Sequence, residues 1–183
     1  MLRVPASGND DIKHKTVMDA VQTKRHLDHA QGYLMLKMYD DALKEVDEVL
    51  AACPEHKDSL YWKGLIYLDQ HKFTEAEPPL RRLIEIDAEQ AHVYVHLAYI
   101  YRRTVSLERA IETIQQALQL SPKMPIGLYN LACYRAVQGQ PTEALKLLSQ
   151  AVTLSKEYRK LALTDPDFES VRGTEEFRKL IEN

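Results

Sequence analysis

Apolar and polar residues along this chain follow the period of a helix, in short segments that recur in pairs. In "AHVYVHLAYIYRR", residues 91–103, Val93, Leu97, Ile100 and Tyr101 fall on one side of the turn. In "SLERAIETIQQALQL", residues 106–120, Ala110, Ile111, Ile114, Ala117 and Leu118 do the same. The break "SPKMP" at 121–125 closes the pair, because proline cannot continue a helix and supplies no backbone donor. An earlier stretch, residues 33–55, has the same form: Leu43, Val46, Leu50 and Cys53 recur at helical spacing and Pro54 stops the run. The pattern predicts helical hairpins, none of which can bury its apolar face alone.

The hairpins repeat. Ala42, Ala76, Ala110 and Ala144 are spaced 34 residues apart, and so are Ala30, Gly64, Ala98 and Ala132. Tyr33, Tyr67 and Tyr101 keep the same period, with Arg135 as fourth member, and Leu50, Ile84, Leu118 and Val152 form another column. Several columns agreeing on one period mark a repeat array, in which stacked hairpins bury a continuous core. The alanine column falls where helices approach closely. A larger side chain there would force them apart at a cost of roughly 1–3 kcal/mol per site. The tyrosines add packed area and keep a hydroxyl for a polar partner.

The period, the small-residue column, the tyrosines three residues later and the alanine column resemble the tetratricopeptide repeat family. The resemblance covers four repeats at 23–56, 57–90, 91–124 and 125–158. It implies an all-α fold, a right-handed α-solenoid of helical hairpins with helical caps at both ends. The chain departs from the family pattern at His29 and Lys63, where leucine is usual, at Arg135 in the tyrosine column, and at Ala88 and Lys156 in place of the terminal proline. Pro78 and Pro79 fall inside the second helix of the second repeat, where a kink or a loosened first turn is expected.

Residues 1–22 form a separate start: 1–9 are polar and expected to be disordered, and a helical cap is expected from Asp10. At the other end residues 159–183 break the period and form a C-terminal helical cap. Asp165–Pro166 opens a short helix, Gly173 ends it and Thr174 starts another. Tyr158, Leu161, Phe168, Val171, Phe177, Leu180 and Ile181 are then available to cover the last repeat. This tail is similar to one found after tandem repeats of the family in bacterial proteins, which implies a bacterial origin.

Composition narrows the function. The 183 residues are 45% hydrophobic and 28% charged, with a net charge of −3. That balance gives no general attraction to phosphate backbones or anionic membranes. The pairs Arg81–Arg82 and Arg102–Arg103 read as solvated helix faces, so neither nucleic acid nor membrane is an expected partner. Cys53 and Cys133 lie far apart outside any CxxC motif and are expected to be reduced. The N-terminus has no apolar signal core and no run reaches membrane-spanning length, so a cytoplasmic setting is expected.

The chemistry-bearing residues do not assemble. His92 and His96 lie one helical turn apart, as a metal pair requires, and Asp58 is the available third ligand. No HExxH and no cysteine partner accompanies them, so no metal and no cofactor is expected. Cys133 has no histidine in its own repeat and reads as a small buried hydrophobe. No GxSxG, phosphate loop, GxGxxG or CxxC is present, and the protein is not expected to be an enzyme.

The family resemblance implies instead a concave groove lined by the first helix of each repeat. By register it offers Lys24, Leu27, Asp28, Gln31, Leu34 and Met35, then Asp58, Tyr61, Trp62, Leu65, Leu68 and Asp69. The third repeat offers His92, Val95, His96, Tyr99, Arg102 and Arg103, and the fourth Ile126, Tyr129, Asn130, Cys133, Ala136 and Val137. The set expected to bind a partner is Tyr61, Trp62, Leu65, His92, His96, Tyr99, Arg102, Tyr129 and Asn130, rich in the aromatic and arginine types of binding hot spots. The lysine–asparagine–arginine clamp of chaperone-binding family members is absent, since Leu27, Gln31, Trp62, His92 and His96 stand at those positions. The expected function is a non-catalytic protein-interaction module holding a partner peptide or helix. The alternatives are a self-assembling scaffold, or a dedicated chaperone for an exported or assembled protein.

Overall fold

The computed structural model describes residues 18–182. Eight helices follow one another as four hairpins: α1 (Ala20–Met35) with α2 (Tyr39–Ala52), α3 (Lys57–Asp69) with α4 (Phe73–Ile86), α5 (Ala91–Thr104) with α6 (Leu107–Leu120), and α7 (Pro125–Val137) with α8 (Pro141–Leu154). Each helix packs on its hairpin partner, and α2, α4 and α6 also pack on the helix that follows. Nearest-neighbour stacking of this kind makes a solenoid.

Local chemistry sets the helix ends. Asp19 and Gln22 form a reciprocal capping box at α1, with bonds of 2.7 and 3.2 Å. His56 caps α3 through its ring, Nδ1 accepting from the Ser59 N–H at 3.2 Å, and Ser106 caps α6. Pro125 and Pro141 occupy first-turn positions that need no backbone donor. Within each hairpin the turn closes with the same bond, from Met38, Lys72, Ser106 and Gln140 back to the carbonyls of Tyr33, Tyr67, Tyr101 and Arg135. Three of these turns place a residue at positive φ: Lys37 at 60°, His71 at 58° and Gly139 at 77°. The equivalent Val105 is β-branched and takes φ −123° instead.

The columns become contacts. Ala42, Ala76, Ala110 and Ala144 are all fully buried, as are Ala30, Ala98 and Ala132. At Gly64 a Cβ would lie 2.5 Å from Leu80 Cγ, so here the helices meet with no room for a methyl group. A large core runs from Leu60 to Phe177, and a smaller one joins Ala30, Ala42, Val46 and Ile66, with Leu50 packed against both. Helix α4 is one helix from Phe73 to Ile86 with Pro78 and Pro79 inside it, unbroken at the site where a loosened turn was expected. The two missing donors leave the carbonyls of Thr74 and Glu75, both exposed residues near the start of the helix, without their usual i+4 partner.

Beyond the hairpins come α9 (Glu157–Thr164), a 3-10 turn (Pro166–Phe168), α10 (Glu169–Arg172) and α11 (Glu175–Glu182). They pack on α7 and α8, and bury Ala162, Phe168, Val171 and Phe177. Leu161, expected to join this cover, is instead 52% exposed. The start expected at 1–9, and most of the helical segment expected before residue 22, lie outside the described residues; α1 begins at Ala20.

A candidate binding groove across the first helices

The first helices of the hairpins line one face, and on it lies a groove of about 1240 Å³. Leu34, Leu65, Leu68, Val95 and Ile126 give it an aliphatic floor drawn from α1, α3, α5 and α7. Its polar wall includes Lys37 and Asp69, an ion pair at 2.6 Å that also takes the Tyr39 hydroxyl at 2.8 Å. Lys37 holds the Asp69 carboxyl below the ordinary carboxylate value, with Tyr39 helping. A second hollow of about 640 Å³ adjoins the groove, sharing Tyr99 and Asn130 with it. A third, of about 650 Å³, lies toward the N-terminal side and is lined by Leu27, Gln31, Asp58 and Trp62.

The expected binding residues divide among these surfaces. Leu65, His96, Tyr99 and Asn130 line the main groove together. Tyr61 and His92 stand beside it, their rings edge to face at 4.9 Å, and the Tyr61 hydroxyl lies 3.1 Å from His96 Nε2. Burial pushes the His96 imidazole down to about 4, with the neighbouring His92 adding to the shift, so the ring is neutral at pH 7. Burial lowers His92 and raises the Tyr61 phenol, in each case favouring the neutral form. Trp62 belongs to the third hollow and is half-buried against the smaller core.

Arg102 and Tyr129 face the second hollow, but the C-terminal segment holds both. Tyr129 is 6% exposed, its hydroxyl donates to Asp165 Oδ2 at 2.8 Å, and its ring lies 4.8 Å from Tyr158 and 5.7 Å from Phe168. Arg102 Nη2 lies 3.2 Å from Asp167 Oδ1. Residues 165–168 thus cover most of Tyr129 and leave only a small part of it on the hollow. These two aspartates are functional candidates that the repeat pattern does not reveal, because both lie beyond its last copy, whereas Arg103 falls on this face by register but outside the expected binding set.

Metal-ligand geometry does not form at the histidines: Asp58 joins no three-ligand cluster with His92 and His96 among the described residues. The cluster that does form is Cys133, Asp165 and Asp167, whose ligand atoms lie within 4.8 Å of one another. Its members already have partners. Asp167 pairs with Arg102, and Asp165 accepts from Tyr129 and, at 3.6 Å, from the Cys133 thiol. Burial, then the two carboxylates, push the Cys133 thiol far up, which keeps it protonated and unreactive.

The sequence profile of the tetratricopeptide repeat matches residues 27–91 and 67–125, more than half of the chain. The chain belongs to the tetratricopeptide repeat family. Among curated relatives it is 21% identical over 122 residues to the mitochondrial import receptor subunit TOM70 of Homo sapiens, covering 66% of this chain and 20% of the relative. It thus spans about a fifth of that relative's length. Among solved structures, the MamA protein superimposes with a TM-score of 0.73 at 18% identity, over 90% of this chain and 92% of that one. The first tetratricopeptide repeat domain of Spaghetti (RPAP3), solved with the HSP90 peptide SRMEEVD, gives a TM-score of 0.62 at 16% identity, over 68% and 98%. At these identities the likeness is one of fold. Among the described residues no helix is long and apolar enough to cross a membrane.

Proposed function

We propose that this tetratricopeptide repeat protein is a non-catalytic interaction module, and that a partner peptide or helix lies in the main groove with its apolar side chains on the aliphatic floor. The observation that carries this is the floor itself: Leu65, Leu68, Val95 and Ile126 converge from three helices beside the Asn130 amide, which has no hydrogen-bond partner among the described residues. An apolar surface with unused amide groups suits a segment that must satisfy its own backbone. The repeat division 23–56, 57–90, 91–124 and 125–158, and a cytoplasmic setting consistent with two free cysteines, belong to the same proposal. A solved domain of this fold holds a peptide, which supports this mode of binding.

A photo-crosslinking residue at position 126, with a second at exposed position 150 on α8 as control, tests it in lysate. The groove position should capture a defined protein that the control does not. Equal capture from both positions would remove the groove as the binding surface. A second reading, self-association, is favoured by Val21, Met35, Leu36 and Met38, which are 79, 78, 69 and 43% exposed on the first hairpin and its approach. Light scattering over a concentration series should then show a mass that rises with concentration.

A further inference from the structure

Helix α5 ends on two arginines, and the fold gives them different surroundings. Arg102 is held by Asp167 at 3.2 Å, with its guanidinium 5.7 Å from the Tyr134 ring. Arg103 is exposed and has no carboxylate within ion-pair distance among the described residues. Its guanidinium instead lies 3.5 Å over the Tyr99 ring and 5.5 Å from the Phe73 ring, and Nη1 donates to the Tyr99 carbonyl at 3.3 Å. Phe73 supports Tyr99 edge to face at 5.9 Å. Of the lysines and arginines that line the main groove and the second hollow, Lys37 and Arg102 each have an aspartate. Arg103 is the charge left over.

Its position gives that charge a use. Tyr99, on which Arg103 is stacked, lines both the groove and the hollow, and Asn130 does the same. A guanidinium held this close over a ring keeps its planar fork of donors oriented and has little freedom to lose on binding. We infer that Arg103 pairs with a single aspartate or glutamate side chain of the partner segment, placed next to the apolar side chains that fill the floor at Leu65, Leu68 and Val95. This inference rests on the groove reading above. A second acid further into the hollow would meet Asp165 and Asp167, so the chemistry called for is one acidic residue flanking an apolar stretch.

The test uses random dodecapeptides displayed on phage with their C-termini fused to the coat protein, so that acidic side chains are selected rather than chain ends. The full chain is the immobilised target. Selected clones should combine apolar residues with one aspartate or glutamate at a fixed offset. The acidic preference should disappear on Arg103→Gln while the apolar preference stays, and a synthetic copy of the best clone should bind that variant roughly five-fold more weakly. Arg103→Lys keeps the charge without the planar fork of donors and should recover only part of the loss. Unchanged melting of both variants is expected from the exposure of Arg103. Apolar clones without an acid, or an acidic preference that survives Arg103→Gln, would overturn this inference and leave the groove reading standing. A library that yields no binders would overturn both.

Discussion

Gly32 and Gly64 allow one substitution to be made twice in opposite surroundings. Gly64 lies within α3, and an added Cβ would sit 2.5 Å from Leu80 Cγ and 2.6 Å from its Cδ2. Carbon pairs rest near 3.5–4.0 Å, so about 1 Å of movement is required. Leu80 is fully buried and cannot swing away, because the core around it is filled. Overpacking of this kind costs roughly 1–3 kcal/mol. Alanine recovers about 1 kcal/mol by its better helix propensity, so Gly64→Ala should destabilise by up to about 2 kcal/mol net. At Gly32, in α1, nothing lies within 4 Å of the added atom. Gly32→Ala therefore keeps only the propensity gain and should stabilise by up to about 1 kcal/mol. Urea unfolding with an unchanged slope measures both. Adding Leu80→Ala to Gly64→Ala should cost less than Leu80→Ala does alone, since the two side chains compete for one space. If both glycine variants shift the midpoint in the same direction, or Leu80→Ala costs the same in both backgrounds, close approach at Leu80 is not why residue 64 is glycine.

His96 predicts a pH dependence. Its folded value of about 4 lies below the ordinary 6.5, so the unfolded chain binds the proton first. Its contribution to stability is complete above pH 6.5 and is lost as the pH falls toward 4, amounting to about 2 kcal/mol by pH 5. His96→Gln should remove that part of the loss between pH 8 and pH 5 in urea titrations, and an unchanged profile would refute the assignment. Phe168, fully buried between Tyr129 and Phe177, should cost about 3–5 kcal/mol on replacement by alanine. A Phe168→Ala melting curve that overlays the parent would show the C-terminal segment to be an appendage rather than a cover.

What the period carries was readable before any coordinates. The alanines at 42, 76, 110 and 144 are fully buried in every copy, so the same residue recurs and the eye finds it. The helix turns are half-legible for the same reason. Gly139 announces positive φ, whereas Lys37 and His71 adopt it without the residue that signals it, and Val105 departs from it altogether. The site was less legible because contacts from outside the period decide it. Tyr61 and Tyr129 hold the same place in their hairpins, yet Tyr61 lies half-buried beside His92 and His96 while residues 165–168 cover Tyr129. Arg102 and Arg103 are adjacent letters, and only the fold shows that Asp167 engages the first. "DPDF" reads as a helix start, which it is, but its two carboxylates also reach α5 and α7.

The C-terminal segment thus does more than cover an apolar end. By seating Asp165 on Tyr129 and Asp167 on Arg102, it occupies the part of the inner face that the fourth hairpin would otherwise present. The groove that remains draws its floor from α1, α3 and α5 and reaches α7 only at Ile126 and Asn130. Charge follows the same division. Toward the tail, Arg102 and Asp167 pair with one another, and that pair must break before either can serve a partner. At Arg103 no ion pair has to break, because the guanidinium rests on a ring and not on an acid. In the proposed mode, recognition is therefore expected to concentrate on the first three hairpins, the third carrying Arg103, with the fourth supplying only the edge at Ile126 and Asn130.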